Sequence, residues 1–292
     1  MDQFIQQVAT GLSTGSLYAI LALAIVLIYR ATSVVNFAQG EMAMFTTFIA
    51  WSYINWELPF WVAFFLTLLV AFLLGALIEF TVMRPVENAP PLNSIIITLG
   101  LFTLLGSVAL RIWQGQPKAF PTPEVFSGGP LTLGPAVISR PNVGVFCMAI
   151  LIMIAIYFLF SRTKIGLAMR AAAQNRVASE LVGIRVGRML ALGWGLSAMV
   201  GAAAGMLLAP TIFLSPSMMQ GVLLFALAAA VLGGLDSPVG AIVGGMTLGV
   251  VQNLAGTYID SKIDITVAFI VIIAVLLVRP KGIFGKQTME RV

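Results

Sequence analysis

The chain has 292 residues, of which 60% are hydrophobic and only 9% charged, and its formal net charge is +5. So little charge excludes an ordinary soluble domain and marks a polytopic membrane protein, all-α in class. The positive balance then bears on topology rather than on nucleic acid.

The chain opens on "MDQFIQQ", where Asp2 and the lack of a basic n-region argue against a cleaved signal peptide. A span needs about 20 apolar residues to cross the hydrocarbon core. Clear stretches of that kind cover about 8–29, 59–80, 91–110, 141–160, 189–209, 218–235 and 238–256. The stretch 37–56 starts on polar "NFAQGE", and 265–278 is short unless Arg279 and Lys281 snorkel at its end. The expectation is therefore a bundle of about eight or nine spans.

Lysines and arginines set the orientation. An outside N-terminus puts Arg30, Arg84, the six basic residues from Arg162 to Arg188 and the four of the tail inside, twelve of the sixteen. Arg111, Lys118, Arg140 and Lys262 fall outside. The reverse arrangement would put the twelve outside, so an outside start and an inside end are expected. The outer segment, about 112–140, is rich in proline and glycine and reads as a compact turn region. The inner segment, about 162–188, is polar. The whole of 1–292 reads as one transmembrane domain, with a tail too short to hold a nucleotide.

Internal repetition is hinted at by "AQGEMAMFTTFIAW" from Ala38 and "MQGVLLFALAAAVL" from Met219. Each sets Gln-Gly at the start of an apolar helix, and the two cross in opposite directions, as in an inverted repeat. Enzyme motifs are missing: there is no GxxxxGK[ST], HExxH or GxSxG followed by acid and histidine. The sequence has no histidine, and its single cysteine, Cys147, excludes an intrachain disulfide. Neither a catalytic nor a metal site is expected.

Polar residues inside apolar spans are costly unless they face a cavity or a partner helix. Asn36, Gln39 and Glu41 cluster at the start of the second span, and Gln220 opens a later one. These four either border a translocation path or serve as hydrogen-bonding glue between helices. Acids are nearly absent from the expected bilayer centre, which speaks against a proton relay or a sodium site. The pairs Gly201/Gly205 and Gly240/Gly244 read as close helix packing.

The inner segment "GLAMRAAAQNRVASELVGIRVG" carries strong helix formers between Gly166 and Gly183 and no proline. It is expected to form one helix of roughly 24 Å at ~1.5 Å per residue, with Ala171 and Ala178 seven residues apart on one face. Composition leaves two readings open, a positive-inside loop or a docking surface.

The order Gly166, Arg170, Ala171, Asn175, Ala178, Gly183 and Ile184 resembles the cytoplasmic signature of permeases in the branched-chain amino-acid class of bacterial ABC importers. The stretches "NFAQGEMAMF", "LGGLDSPVGAIVGG" and "VRPKGIFG" are similar to that family in the expected order. The chain is most similar to the shorter of the two paired permeases. Gln174 stands where an acid is common, and Asp236 where a small or polar residue is common. The resemblance implies a permease of the bacterial inner membrane that pairs with a second, homologous permease. Two ATPase subunits would hold ATP and magnesium, and a periplasmic binding protein would deliver substrate. It further implies that Gly166, Arg170, Ala171, Asn175, Arg176, Ala178, Glu180 and Gly183 couple the bundle to an ATPase. The family's substrates include branched-chain amino acids, urea, amides and aromatic or hydroxy acids. The competing reading is a self-contained secondary transporter or channel.

Overall fold

The computed structural model describes residues 2–285 except 33, 88, 134–135 and 261–263. Lys262, Lys286 and Arg291, which entered the charge count, lie outside the described residues. The helices are α1 (Asp2–Thr32), α2 (Gln39–Asn55), α3 (Phe60–Ile78), α4 (Pro91–Trp113), α5 (Arg140–Arg162), α6 (Lys164–Gln174), α7 (Arg176–Leu181), α8 (Val186–Ile212), α9 (Met218–Gly233), α10 (Pro238–Tyr258) and α11 (Asp264–Val278). Every expected apolar stretch is thus helical, and the chain is an α-helical membrane bundle. Six helices among the described residues are long and apolar enough to cross a membrane: α1, α3 with its continuation to Val86, α4, α5, α8 and α10. The expected eight or nine full spans are therefore not all present at full length. α2, α9 and α11 have 17, 16 and 15 residues.

Helices that are apolar on every side belong in the interior. α1 fits that rule, since 17–28 is buried throughout. α8 runs antiparallel beside it, with Gly193 facing Ala31 and Ser197 facing Ala24. Around this central pair the packing is exchanged in a regular way. α1 lies along α10 as α3 lies along α8, and α1 packs on α9 as α8 packs on α2.

Glycine permits the closest of these approaches. A Cβ added at Gly249 would stand 2.2 Å from Gly15 Cα, and one at Gly75 would stand 2.5 Å from the Trp194 carbonyl oxygen. Backbones this close need small residues. Gly201 and Gly205 serve the same purpose against Gln39, Ala43 and Thr47 of α2, and Gly244 against Ala229 of α9. Both expected glycine pairs pack inside the bundle.

Two helices start after a break. Residues 34–38 are not helical, and they lead from the end of α1 back into the bundle. α2 therefore begins in the interior, where the Gln39 side chain reaches the Ser197 carbonyl of α8. The level of Ala24, bonded to the same serine, is roughly 12 Å in from the end of α1. α9 likewise follows a break at 213–217, where Phe213 has φ 62°. The first turns of α2 and α9 meet: a Cβ on Gly40 would stand 3.3 Å from Met219 Cβ.

One end of the bundle holds the start of α1 and the 114–139 segment. That segment is not wholly irregular as expected, because β1 (Leu131–Leu133) and β2 (Ala136–Ile138) pair antiparallel. Gln6 fastens it by two 2.7 Å hydrogen bonds to the backbone of Val137. The opposite end holds the α3–α4 connection, α6, α7 and the residues after α11.

Candidate functional site

The polar segment forms two helices rather than the single expected one. Thr163 caps α6, its Oγ1 accepting from the Gly166 amide at 3.0 Å. Gly166 therefore lies within α6 and does not mark its end. An added Cβ there would stand 2.4 Å from the Leu159 carbonyl oxygen, so glycine lets α6 fold hard back on α5. Met169 and Ala172 share the buried face with Gly166, at helical spacing.

Asn175 ends α6 with an extended backbone, φ −153° and ψ 103°, and its Oδ1 accepts from the Ala178 amide at 2.9 Å to cap α7. Side chains of this type offer the backbone a local alternative to a continuing helix. The break separates Ala171 from Ala178, so they do not line one face as expected. Ala171 is half-buried and Ala178 is exposed. Gly183, with φ 86°, ends α7 as the sequence suggests, and the Ile184 amide donates back to the Ser179 carbonyl at 2.9 Å.

The arginines of this element are engaged within the chain. Arg170 Nη1 donates to the Phe160 carbonyl at 2.7 Å, satisfying a carbonyl in the last turn of α5. Arg176 forms an ion pair with Glu87 of the α3–α4 connection and a longer one, 3.4 Å, with Glu180. The Glu87 hydrogen bond, followed by the charges of Glu87 and Glu180, holds the Arg176 guanidinium above its ordinary pKa. Arg84 donates to both Glu79 oxygens and to the Gly187 carbonyl at 2.9 Å, which ties the same connection to the start of α8. Arg170 and Arg176 thus both have partners within the chain. Apolar side chains are what the element exposes: Val177 is 68% exposed, Leu181 83% and Val182 76%.

The four polar residues expected near a path divide into two pairs. Asn36 and Gln39 are sealed in the interior, 1% and 0% exposed. Asn36 Oδ1 accepts from the Ala38 amide at 3.0 Å, and its Nδ2 donates to Gln39 Oε1 at 3.3 Å. Gln39 Nε2 donates to the Ser197 carbonyl at 3.1 Å, and Ser197 Oγ donates to the Ala24 carbonyl at 2.6 Å. This network satisfies the irregular backbone of 34–38 and joins it to α1 and α8. Non-helical backbone within a membrane bundle requires such partners. The side chains of Asn36 and Gln39 thus both have partners within the bundle.

Glu41 and Gln220 instead come together at an open groove of about 440 Å³ between the first turn of α2, α4 and the start of α9. Glu41 is 1% exposed, and its Oε2 has no hydrogen-bond partner. A buried acid was not expected away from the bilayer edge. It arises because α2 starts inside the bundle, so a residue three positions into that helix is already deep.

Sequence reasoning missed Glu87, Ser197 and the exposed apolar face of α7. Glu87 carried a signal, as an acid three residues after Arg84 at the same expected end. Ser197 carried none beyond being a small residue in a small-residue helix. The motifs noted in the sequence do converge: the Ile283 and Phe284 amides donate to the Leu232 and Gly233 carbonyls at 2.9 and 3.0 Å. Stretch 232–245 is thereby joined to 278–285 at the end where α6 and α7 sit.

Comparisons with known proteins agree with this arrangement. Residues 7–278 match the family model described as "Branched-chain amino acid transport system / permease component". The high-affinity branched-chain amino acid transport system permease protein BraD of Pseudomonas aeruginosa is 31% identical, over 99% of this chain and 98% of its own. The corresponding LivH of Escherichia coli is 30% identical over 99% and 98%. The probable LivH of Methanocaldococcus jannaschii is 29% identical over 92% and 89%. A match of this extent shows that the chain belongs to the branched-chain amino acid transport system permease component family.

Proposed function

We propose that this chain is one of two related permease subunits of an ATP-driven importer in the bacterial cytoplasmic membrane, and that it carries branched-chain amino acids delivered by a binding protein outside. In this reading the hairpin end faces the periplasm and the α6–α7 end faces two ATPase subunits, where ATP and magnesium are held. The positive end of the sequence count supports that orientation. The printed roles of the relatives support the substrate class. The exchanged packing of α1, α2 and α3 with α8, α9 and α10 supports an inverted repeat, with the path near the meeting point of its two broken segments.

The observation that carries the coupling part is the surface of α7. Three apolar side chains stand exposed on an element held to the bundle from both sides, through Arg170 to α5 and through Arg176 to the α3–α4 connection. An exposed apolar cluster on a rigid mount is what a subunit interface needs. A moving ATPase could then push α5, α8 and the α3–α4 connection together. The test replaces Val177 and Leu181 by aspartate in the complete complex and measures co-purification of the ATPase subunits. Recovery of ATPase should drop at least tenfold while the permease still inserts. Wild-type recovery would leave α6–α7 an ordinary loop.

A further inference from the structure

The groove at Glu41 differs from the network beside it in one respect. Asn36 and Gln39 have hydrogen-bond partners inside the protein, whereas the buried Oε2 of Glu41 does not. Glu41 takes part in none of the ion pairs formed among the described residues. An unpaired carboxylate among apolar helices is costly, and the cost is removed when a cation and further polar groups meet it. The groove is built for such a meeting. Thr103, Gly106 and Ser107 lie on one face of α4 towards it, and Ser217 and Gln220 come from the start of α9. Gly106 leaves the approach to the acid open, since even an added Cβ would stand 3.5 Å from Oε2. The size, about 440 Å³, suits a small-molecule ligand. A metal ion is not favoured: no group of three or more His, Cys, Asp or Glu able to hold one occurs among the described residues.

We infer that Glu41 binds the ammonium group of an amino acid passing through this groove, with the Ser107 hydroxyl and the Gln220 amide meeting the remaining polar atoms. This rests on the proposed amino-acid substrate, and it assigns the contact that recognises the ammonium within the membrane. The apolar wall of Phe102 and Leu110 then accepts the aliphatic side chain. The first turn of α9 presents its positive dipole end to the substrate carboxylate.

The test uses the complete complex in proteoliposomes, in a Cys147→Ala background with Thr103→Cys, a groove-lining position given no contact to the substrate, as reporter. Two probes are applied: leucine uptake, and the rates at which cationic and anionic methanethiosulfonate reagents label the reporter cysteine. With Glu41 present, the cationic reagent should label at least fivefold faster than the anionic one, and leucine should slow that labelling. Glu41→Gln should abolish the charge preference and the leucine protection and lower leucine uptake at least tenfold. Glu41→Asp should keep the preference, which separates loss of charge from a folding defect. Uptake within twofold of the reporter background in Glu41→Gln, or no charge preference with Glu41 present, overturns the inference. If no variant imports leucine but the charge preference persists and vanishes in Glu41→Gln, cation binding at Glu41 stands and the substrate reading falls instead.

Discussion

Reversing the charge of Arg176 perturbs the joint between α7 and the α3–α4 connection. The ion pair with Glu87 is partly covered, with side chains 40% and 19% exposed, and Glu180 adds a second, weaker contact. An exposed pair contributes about 0.2–1 kcal/mol, and partial cover puts this one near the top of that range. Arg176→Glu removes the attraction and sets three acids together, a total of roughly 2 kcal/mol against the joined arrangement. That corresponds to about a thirtyfold fall in the ratio of joined to separated forms. Because α7 is a short element outside the spans, the loss should be felt in coupling rather than in insertion. The assay is the ratio of substrate-stimulated to basal ATP hydrolysis in proteoliposomes. Arg176→Glu should bring that ratio close to one, and adding Glu87→Arg should restore a large part of it. Glu180 loses its Arg176 partner in both variants, so the restoration should be incomplete. If the double variant is as uncoupled as the two single changes combined, the joint does not transmit motion and the reasoning fails.

Other outcomes follow from the same structure. Gly249→Leu should prevent α1 and α10 from closing, since even a Cβ would sit 2.2 Å from Gly15 Cα. Overpacking of this kind costs about 1–3 kcal/mol, to be read as lowered thermal stability of the purified complex. Gln39→Leu should also lower stability, by about 1–3 kcal/mol, because it orphans buried partners at Asn36 and Ser197. Gln220→Leu should leave stability unchanged, and equal thermal shifts for the two would show that the groove and the network are not distinct. Single cysteines at Lys118 and Glu124, with Cys147 replaced by alanine, should label with an impermeant reagent in intact cells. A cysteine at Arg176 should not, and its labelling would invert the proposed orientation.

Much of the architecture was legible because membrane insertion imposes a simple pattern. Long apolar runs become helices, and each expected run did. The glycine pairs were legible for a related reason, since small residues at helical spacing have little use except close packing. The depth of α2 was not legible. Hydropathy treats "NFAQGE" as the polar edge of a span, and only the tertiary bonds from Gln39 to α8 and from Ser197 to α1 show that this edge lies inside. The same depth buries Glu41, which the sequence places only at the start of a span. The break at Asn175 was also hidden: its neighbours favour helix, and the side-chain cap on Ala178 outweighs that preference at one position. Charge counting found Arg176 but not Glu87, because pairing across the bundle depends on which loops meet at one end.

The claim that this permease imports amino acids at the expense of ATP hydrolysed on another subunit is tested most directly by leucine uptake into proteoliposomes. The vesicles hold the complete complex, with the binding protein outside and ATP enclosed. Uptake should require both ATP and the binding protein, and should be lost when Val177 and Leu181 are changed to aspartate. Leucine accumulation that proceeds without ATP, driven by an ion gradient, would contradict the account.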